Sequence, residues 1–506
     1  MGTKKTVTAI NQQDIISARI TRLGRYWVVL TIIAMVATFG LTLWLSRGVS
    51  VWFDENYSII LAQRPVSELI ALTAVDAHPP LYYLLLKAWG TLFSWNELAL
   101  RSLSAVFCAL TVGMMTLLVQ RLFTRNVAIV VLPFMVFAPF LLRYGYEIRM
   151  YALVTFVGVL ATWVLVRASQ SRGYIWWIMY GILVAIGMYT LYMSAVIWLG
   201  HLVWLLVVAK QKRESMIKQP YWIAYGVAAL AILPWLPTVI RQFIDSALPP
   251  MDGVTLSQLV NVSGLLLGYV ANWQMGTWLS FGIVIMIVLF TMLYARIWKY
   301  ASLRYRQGLL LLAFCFVVGM AFYALLSLPP MTPRFNERYV AHIAPYAYAL
   351  IGVIVAIGWR MGWRRLSGSL AVLSCVILIG GVATLQAAGN YNFLRAQTPR
   401  GKEVVSMYGC SNTTFISNDL FEYVDMYYEF RSCDLRFYAS NNPAFKHGYA
   451  SLHNSPQRLT NTDALTAERI VVISYDEKIT HIIPDSRYRL VATDTLDRVS
   501  MKVYKR

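Results

Sequence analysis

The sequence predicts a polytopic all-α membrane protein of about 11 transmembrane helices, followed by a small C-terminal external α/β domain. Three observations predict it. Hydrophobic residues make up 58% of the 506 and charged residues only 13%, against roughly half and a quarter in soluble domains. Long apolar runs recur up to residue 398 and stop there. The basic residues concentrate on alternate segments between those runs. The 17 Trp, 31 Tyr and 22 Phe suit aromatic belts at the membrane interfaces. An ordinary soluble enzyme and a disordered chain are both excluded.

The runs lie near 26–46, 102–120, 127–142, 150–166, 174–190, 193–209, 221–240, 277–295, 308–328, 339–358 and 368–388. A bilayer core needs about 20 apolar residues, and most of the runs reach that length. The first is of full span length with no small-x-small cleavage site behind it, so it reads as a span and not a signal peptide. The run Leu81 to Phe93 is only about 13 residues long, which suits an interfacial or re-entrant piece. Reading it as a span would also move Arg121 and Arg125 outside. Residues 47–100 therefore read as one large external loop, with amphipathic helices lying on the membrane.

The formal charge of +20 invites a nucleic-acid reading, and its distribution removes it. With residues 1–25 as a cytoplasmic N-terminal tail, the inside segments hold 20 basic residues against two acids, Asp14 and Glu214. External segments before residue 399 hold ten and nine, and the tail 14 and 13. This is a positive-inside pattern. It makes residues 26–398 a membrane domain and puts residues 399–506 outside.

In that tail, Val404 to Met407, Thr414 to Ser417, Arg469 to Ser474 and Val499 to Tyr504 read as strands: short β-branched and apolar runs bounded by turn formers. Asp419 to Phe430 has helical spacing. Cys108, Cys315 and Cys375 fall in apolar spans and read as packing. Cys410 and Cys433 share the external tail, where an oxidising compartment would allow them to pair. The five form no metal-ligand pattern.

Acids beside spans are costly, which makes them functional candidates. Four external groups stand out. Asp54-Glu55, flanked by Trp52, Phe53 and Tyr57, offers a carboxylate that can act as general base on an alcohol. A solvated pair or a helix cap is the plainer reading. In Asp76-Ala77-His78-Pro79-Pro80-Leu81, the prolines make a rigid helix entry, and Asp76 and His78 suit a divalent metal or the orientation of a phosphate. Here the plainer reading is a cap and a structural histidine. In Arg143-Tyr144-Gly145-Tyr146-Glu147-Ile148-Arg149-Met150-Tyr151, forked guanidiniums suit a phosphate, with Glu147 steadying one of them. Pro333-Arg334-Phe335-Asn336-Glu337-Arg338-Tyr339, followed by His342, adds further cations on the same side. Interfacial anchors explain either arginine group more simply. Taken together, the four suit a lipid-linked phosphate substrate: a base for the acceptor hydroxyl and cations for the departing phosphate.

These motifs resemble those of GT-C glycosyltransferases of the dolichyl-phosphate-mannose-protein mannosyltransferase type, whose bacterial relatives include the lipid A aminoarabinose transferase. Asp54-Glu55 is similar to the Asp-Glu motif of that family's first external loop. Asp76 to Leu81 resembles its Asp-x-His-Pro-Pro-Leu motif, and Ala99-Leu100-Arg101 also fits. Glu147-Ile148-Arg149-Met150-Tyr151-Ala152 resembles a Glu-Ala-Arg-Met-Tyr-Ala stretch, with Ile148 departing from Ala. Arg338-Tyr339 with Pro345 resembles the late Arg-Tyr motif. The tail shows no β-trefoil-like repeats.

The resemblance implies an inverting glycosyltransferase using a polyprenyl-monophosphate sugar donor at the outer face of a bacterial or archaeal cytoplasmic membrane. The acceptor would be a hydroxyl of an envelope lipid, a glycan or a protein. Asp54 would be the general base and Glu55 would position it or the acceptor. Asp76 and His78 would bind a divalent metal or shape the donor site. Arg149 and Arg338 would hold the phosphate, with Arg143, Glu147 and Tyr151 as second choices. A transporter or flippase of a lipid-linked sugar would need the same cations and no base. Its usual inverted repeats are not visible, and charged residues are nearly absent from mid-span.

Overall fold

The computed structural model describes residues 24–245, 262, 264, 266, 277–326, 337–387, 401–417, 419–438, 447–452, 454–460, 465–475, 485–496 and 499–506. The cytoplasmic tail expected before residue 24 and the motif residues Pro333 to Asn336 lie outside them. Among the described residues, 24–47, 101–237 and those between 247 and 387 form one compact unit. Residues 48–100, 238–245 and those from 401 onward form a second.

The first unit is a helical bundle. Its helices are α1 (Trp27–Leu45), then α5 (Glu97–Leu122, from Arg101 on), α6 (Arg125–Val136) and α7 (Pro139–Gly145). They continue with α8 (Tyr151–Ser169), α9 (Ile175–Thr190), α10 (Ala195–Gln211), α11 (Tyr221–Ile232) and the start of α12 (Leu236–Asp245). The last four are α13 (Thr277–Tyr300), α14 (Leu303–Leu326), α15 (Ala344–Arg360) and α16 (Arg364–Ala387). Each of the eleven apolar runs coincides with helix. Among the described residues, eight helices are long and apolar enough to cross a membrane, and a ninth span results if the bent pair α6–α7 is one. The other two runs form the shorter apolar helices α9 and α15, of 16 and 17 residues. The chain is a multi-pass membrane protein.

Two packing devices hold the bundle. Glycine lets backbones approach where lipid offers no hydrophobic drive: a Cβ on Gly181 of α9 would collide with the Ala224 carbonyl of α11, and one on Gly200 of α10 would meet the Phe314 carbonyl of α14 at 2.8 Å. The second device is a buried hydrogen-bond chain. The Thr162 hydroxyl bonds His201 Nε2 at 2.9 Å and the Tyr346 hydroxyl at 2.7 Å, while the Tyr180 hydroxyl bonds His201 Nδ1 at 2.9 Å. Both imidazole nitrogens are thus satisfied by hydroxyls, so a neutral ring is accommodated without desolvation cost. The chain ties α8, α9, α10 and α15.

The second unit begins with three short helices, α2 (Phe53–Gln63), α3 (Val66–Ala74) and α4 (Leu81–Leu92). Leu81 to Phe93 is thus a 12-residue helix, below span length. The remainder is a six-stranded sheet with flanking helices α17 (Gly401–Tyr408) and α18 (Leu420–Met426). Its strands are β1 (Thr413–Ser417), β2 (Asp434–Tyr438), β3 (Arg458–Leu459), β4 (Arg469–Tyr475), β5 (Arg489–Leu496) and β6 (Val499–Lys505). Their order is β3-β2-β1-β4-β6-β5. The pairs β3/β2, β2/β1 and β1/β4 are parallel, and β6 joins β4 and β5 antiparallel. Central β1 is buried throughout, as a parallel strand covered on both faces should be.

One expected strand is corrected: Val404 to Met407 lies in α17. Glu403 sits in its first turn, where it matches the helix dipole, and Val404 is its buried apolar contact. A single inward residue per turn is a helical demand that the local β-branched pair Val404-Val405 does not reveal. Strands β2, β3 and β5 had no counterpart in the sequence reading. Cys410 and Cys433 form a disulfide, with their Cα atoms 4.8 Å apart.

Candidate functional site

The residues singled out by sequence divide between the two units. Asp54, Glu55, Asp76 and His78 belong to the second, and Arg143, Glu147, Arg149, Tyr151 and Arg338 to the first.

Helix α2 explains why two adjacent carboxylates do different work. Its first turn carries both, at the positive end of the helix dipole. Glu55 is fully buried, and its Oε2 accepts the Trp52 backbone N–H at 3.3 Å. That is the return arm of a capping box. Asp54 is half-buried. Glu55 therefore fixes the helix start, and Asp54 is the carboxylate presented from it.

Asp76 follows α3, and His78 lies in the bend between it and the two prolines that precede α4. Asp76 Oδ2 lies 3.5 Å from His78 Nδ1. The Asp76 side chain is 4% exposed and that of His78 26%. Asp76 Oδ2 is buried and makes no hydrogen bond. An orphaned carboxylate oxygen beside an imidazole suits a cation, but it amounts to two protein ligands. Among the described residues there is no group of three or more His, Cys, Asp or Glu that could hold a metal ion.

In the first unit the break between α6 and α7 bends the chain by 63°. Pro139 opens α7, where its missing N–H costs nothing. The bend leads into the segment 143–151, which is buried throughout. Arg143 Nη1 lies 3.4 Å from Glu147 Oε2, with side-chain exposures of 4% and 1%. The Arg143 guanidinium also sits over the rings of Tyr144 and Tyr146, at 5.1 and 5.7 Å. The Glu147 carbonyl accepts the Ser104 hydroxyl at 2.6 Å and the Arg149 N–H at 2.7 Å. Arg149 is 3% exposed. Tyr151 packs edge-on to Tyr144, ring centroids 5.2 Å apart. Such burial of two guanidiniums with one acid is expensive in a membrane protein and marks a functional place by default. Arg338 stands half-buried in the short 3-10 turn Glu337–Val340. His342 beyond it is buried and committed to packing, Nε2 lying 3.0 Å from the Met193 carbonyl.

Sequence reasoning quoted Arg101 without giving it a role and gave none to Asn56; both are fully buried. Arg101 Nη1 donates to the Ser46 carbonyl at 2.8 Å. The match at Ala99-Leu100-Arg101 was the signal for Arg101; for Asn56 there was none.

Comparison with known proteins agrees with this layout. Residues 77–239 match the family model of dolichyl-phosphate-mannose-protein mannosyltransferase. The structure of ArnT from Cupriavidus metallidurans in the apo state is similar over 94% of this chain and 97% of that one, with a TM-score of 0.61 and 12% identity. The same protein bound to undecaprenyl phosphate gives a TM-score of 0.59 at 12% identity, covering 94% and 98%. At that identity the likeness speaks for the fold. No curated protein is similar enough in sequence to count as a relative. Residues 77–239 thus match the dolichyl-phosphate-mannose-protein mannosyltransferase family, and the chain as a whole shares the fold of ArnT.

Proposed function

We propose that this protein is an inverting glycosyltransferase that moves a sugar from a polyprenyl-monophosphate donor to a hydroxyl of an envelope lipid, glycan or protein. It works at the outer face of the cytoplasmic membrane, with the N-terminus inside and residues 399–506 outside. The observation that carries this reading is the carboxylate pair in the first turn of α2: Glu55 is buried in the cap, while Asp54 beside it is half-buried. A transporter has no need of a presented base.

In the proposed reaction Asp54 accepts the proton of the acceptor hydroxyl. The acceptor oxygen forms a bond to the anomeric carbon from the face opposite the phosphate, and the bond from that carbon to the phosphate oxygen breaks. The electron pair leaves with the polyprenyl phosphate. Arg149 and Arg338 meet the charge that grows on it, and Glu147, Arg143 and Tyr151 hold the arginine segment in shape. Asp76 and His78 are the residues that would hold a divalent cation, which would add positive charge at the phosphate.

Two further observations support a lipid-linked donor. ArnT from Cupriavidus metallidurans is known with undecaprenyl phosphate bound. In this chain a cavity of about 400 Å³ lies among α13, α14 and α15, lined almost wholly by apolar groups such as Met286, Phe290, Phe316 and Ile351. Apolar walls suit a prenyl chain.

The test is release of polyprenyl phosphate by the purified protein in nanodiscs, given a panel of short-chain polyprenyl-phosphate sugars and total envelope extract as acceptor. Acceptor-dependent release from one panel member is expected. Movement of intact donor across proteoliposomes without release would establish the flippase instead.

A further inference from the structure

Helix α2 is gripped along one face by the external tail domain. At its start, Phe53 stacks on Phe421, ring centroids 4.8 Å apart, and meets Tyr449 edge-on at 5.9 Å. At its end, Gln63 Oε1 accepts the Tyr427 hydroxyl at 2.7 Å, and Arg64 Nη2 donates to the Ser451 carbonyl at 3.0 Å. Between them is Asn56, fully buried. Its Nδ2 donates to the Asp425 carbonyl at 2.7 Å and to the Val51 carbonyl at 3.3 Å. Its Oδ1 accepts the Tyr428 N–H at 3.0 Å.

The chemistry of this contact is specific. The last carbonyls of a helix have no partner inside it. Asp425 is at the C-terminal end of α18, and Asn56 satisfies its carbonyl. One amide therefore closes a helix end in the tail and, through Val51, the chain just ahead of α2. The position admits no apolar replacement without orphaning buried backbone groups.

At about 100° per residue, Phe53, Asn56, Gln63 and Arg64 fall within an arc of about 100° on α2, and Asp54 points roughly 130° away from its centre. The tail thus holds one face of the helix, and Asp54 stands on another. We propose that Asn56 is a positioning residue: through it the tail domain sets the placement of Asp54. This rests on the glycosyl-transfer reading for its consequence in turnover, while the grip itself is independent of it. Displacement of a reacting group by about 1 Å can cost a hundredfold in rate.

The experiment uses the full chain in nanodiscs, with Asn56→Leu on the helix side and Phe421→Ala on the tail side. Three readouts are taken: amide exchange of residues 53–63, single-turnover transfer, and binding of farnesyl phosphate. Both variants are expected to speed exchange in 53–63. Both should slow the transfer step roughly 10- to 100-fold while farnesyl phosphate affinity stays within about threefold. A merely structural role would lower transfer and binding in the same proportion, and that result overturns the proposal. So does unchanged exchange in Phe421→Ala, whether or not Asn56→Leu folds. Asp54→Asn serves as the control: if it transfers at the wild-type rate, Asp54 is not the base and the proposal fails in its consequence for turnover; if the wild-type protein transfers nothing, the glycosyl-transfer reading fails, and the grip is then judged on exchange alone.

Discussion

The arginine segment and the carboxylate helix are built in opposite ways. Residues 143–151 are held inside the bundle: Arg143 by Glu147 four residues on, Arg149 by the Glu147 carbonyl, and that carbonyl by Ser104 of α5. Helix α2 depends on partners far along the chain, Asn56 and Asp425 being 369 positions apart. A segment held locally inside a helical bundle is insulated from events elsewhere. A short helix held by a distant domain inherits whatever loosens that domain. Perturbing the tail should therefore reach Asp54 and spare Arg143 and Arg149.

The largest effect tests the carboxylate helix. Asp54→Asn keeps the shape and removes the base, so transfer should fall roughly a hundred- to ten-thousand-fold, with farnesyl phosphate binding retained. Wild-type turnover in the purified variant would remove Asp54 from the reaction. Next comes the tail's covalent tie. Replacing Cys410 and Cys433 by serine frees a crosslink spanning 23 positions. By loop-closure entropy this should cost about 3 kcal/mol of tail stability. Urea-dependent exchange at β1 measures it, and exchange in α8 should not change.

The same contrast explains what could be read from the sequence. The bundle was legible because each span must satisfy its backbone internally and face lipid, so composition alone declares it. The 12-residue α4 was told from a span by length and by the charges that follow it. The disulfide partners were legible because only two cysteines lie outside the apolar runs. The tail was half legible. Strand β5 has both faces largely exposed at the sheet edge, so it lacks an apolar alternation. Only two residues separate it from β6, Asp497 and Arg498, and they carry no hairpin signature. Asn56 was invisible for another reason: its partners are backbone groups, and no residue type at 425 or 428 announces them. The polar chain through His201 was missed because a single histidine in an apolar run has no local pattern.

A smaller effect probes the insulated half. Arg149→Lys keeps a charge and loses the planar fork. If the guanidinium meets charge that develops as the sugar leaves, single-turnover transfer should fall roughly 10- to 100-fold while farnesyl phosphate affinity changes less. Combined with Phe421→Ala, the two losses should add in free energy, since one acts through the bundle and the other through the tail. Coupling of more than about 0.5 kcal/mol in that cycle would show that the arginine segment is not insulated.

The smallest effect is one of pH. On one side of the tail helix, Glu422, Asp425 and Glu429 surround Tyr475. The Tyr475 hydroxyl donates to Asp425 Oδ2 at 3.0 Å, and its N–H to Glu422 Oε1. Burial first, then the charge of Asp419, pushes the Glu422 carboxyl up to about 7, against the Tyr475 N–H and the Ser417 hydroxyl. Burial, with Asp425 adding to it, does the same to Glu429, also to about 7, although Lys402 opposes it. A carboxyl whose value is raised by folding holds its proton more tightly in the folded state. Its contribution to stability is complete below the ordinary value of 4.5 and is lost as pH rises through about 7. The tail should thus be most resistant to urea near pH 5 and weaken steadily to pH 8, with exchange in residues 53–63 following it and exchange in α8 staying level. Glu422→Gln keeps an acceptor for Tyr475 and removes one titration, so its stability should vary less steeply by about one proton. An unaltered slope in that variant would mean that the tail's pH response comes from elsewhere, and a level exchange in 53–63 would mean that the tail does not transmit it to α2.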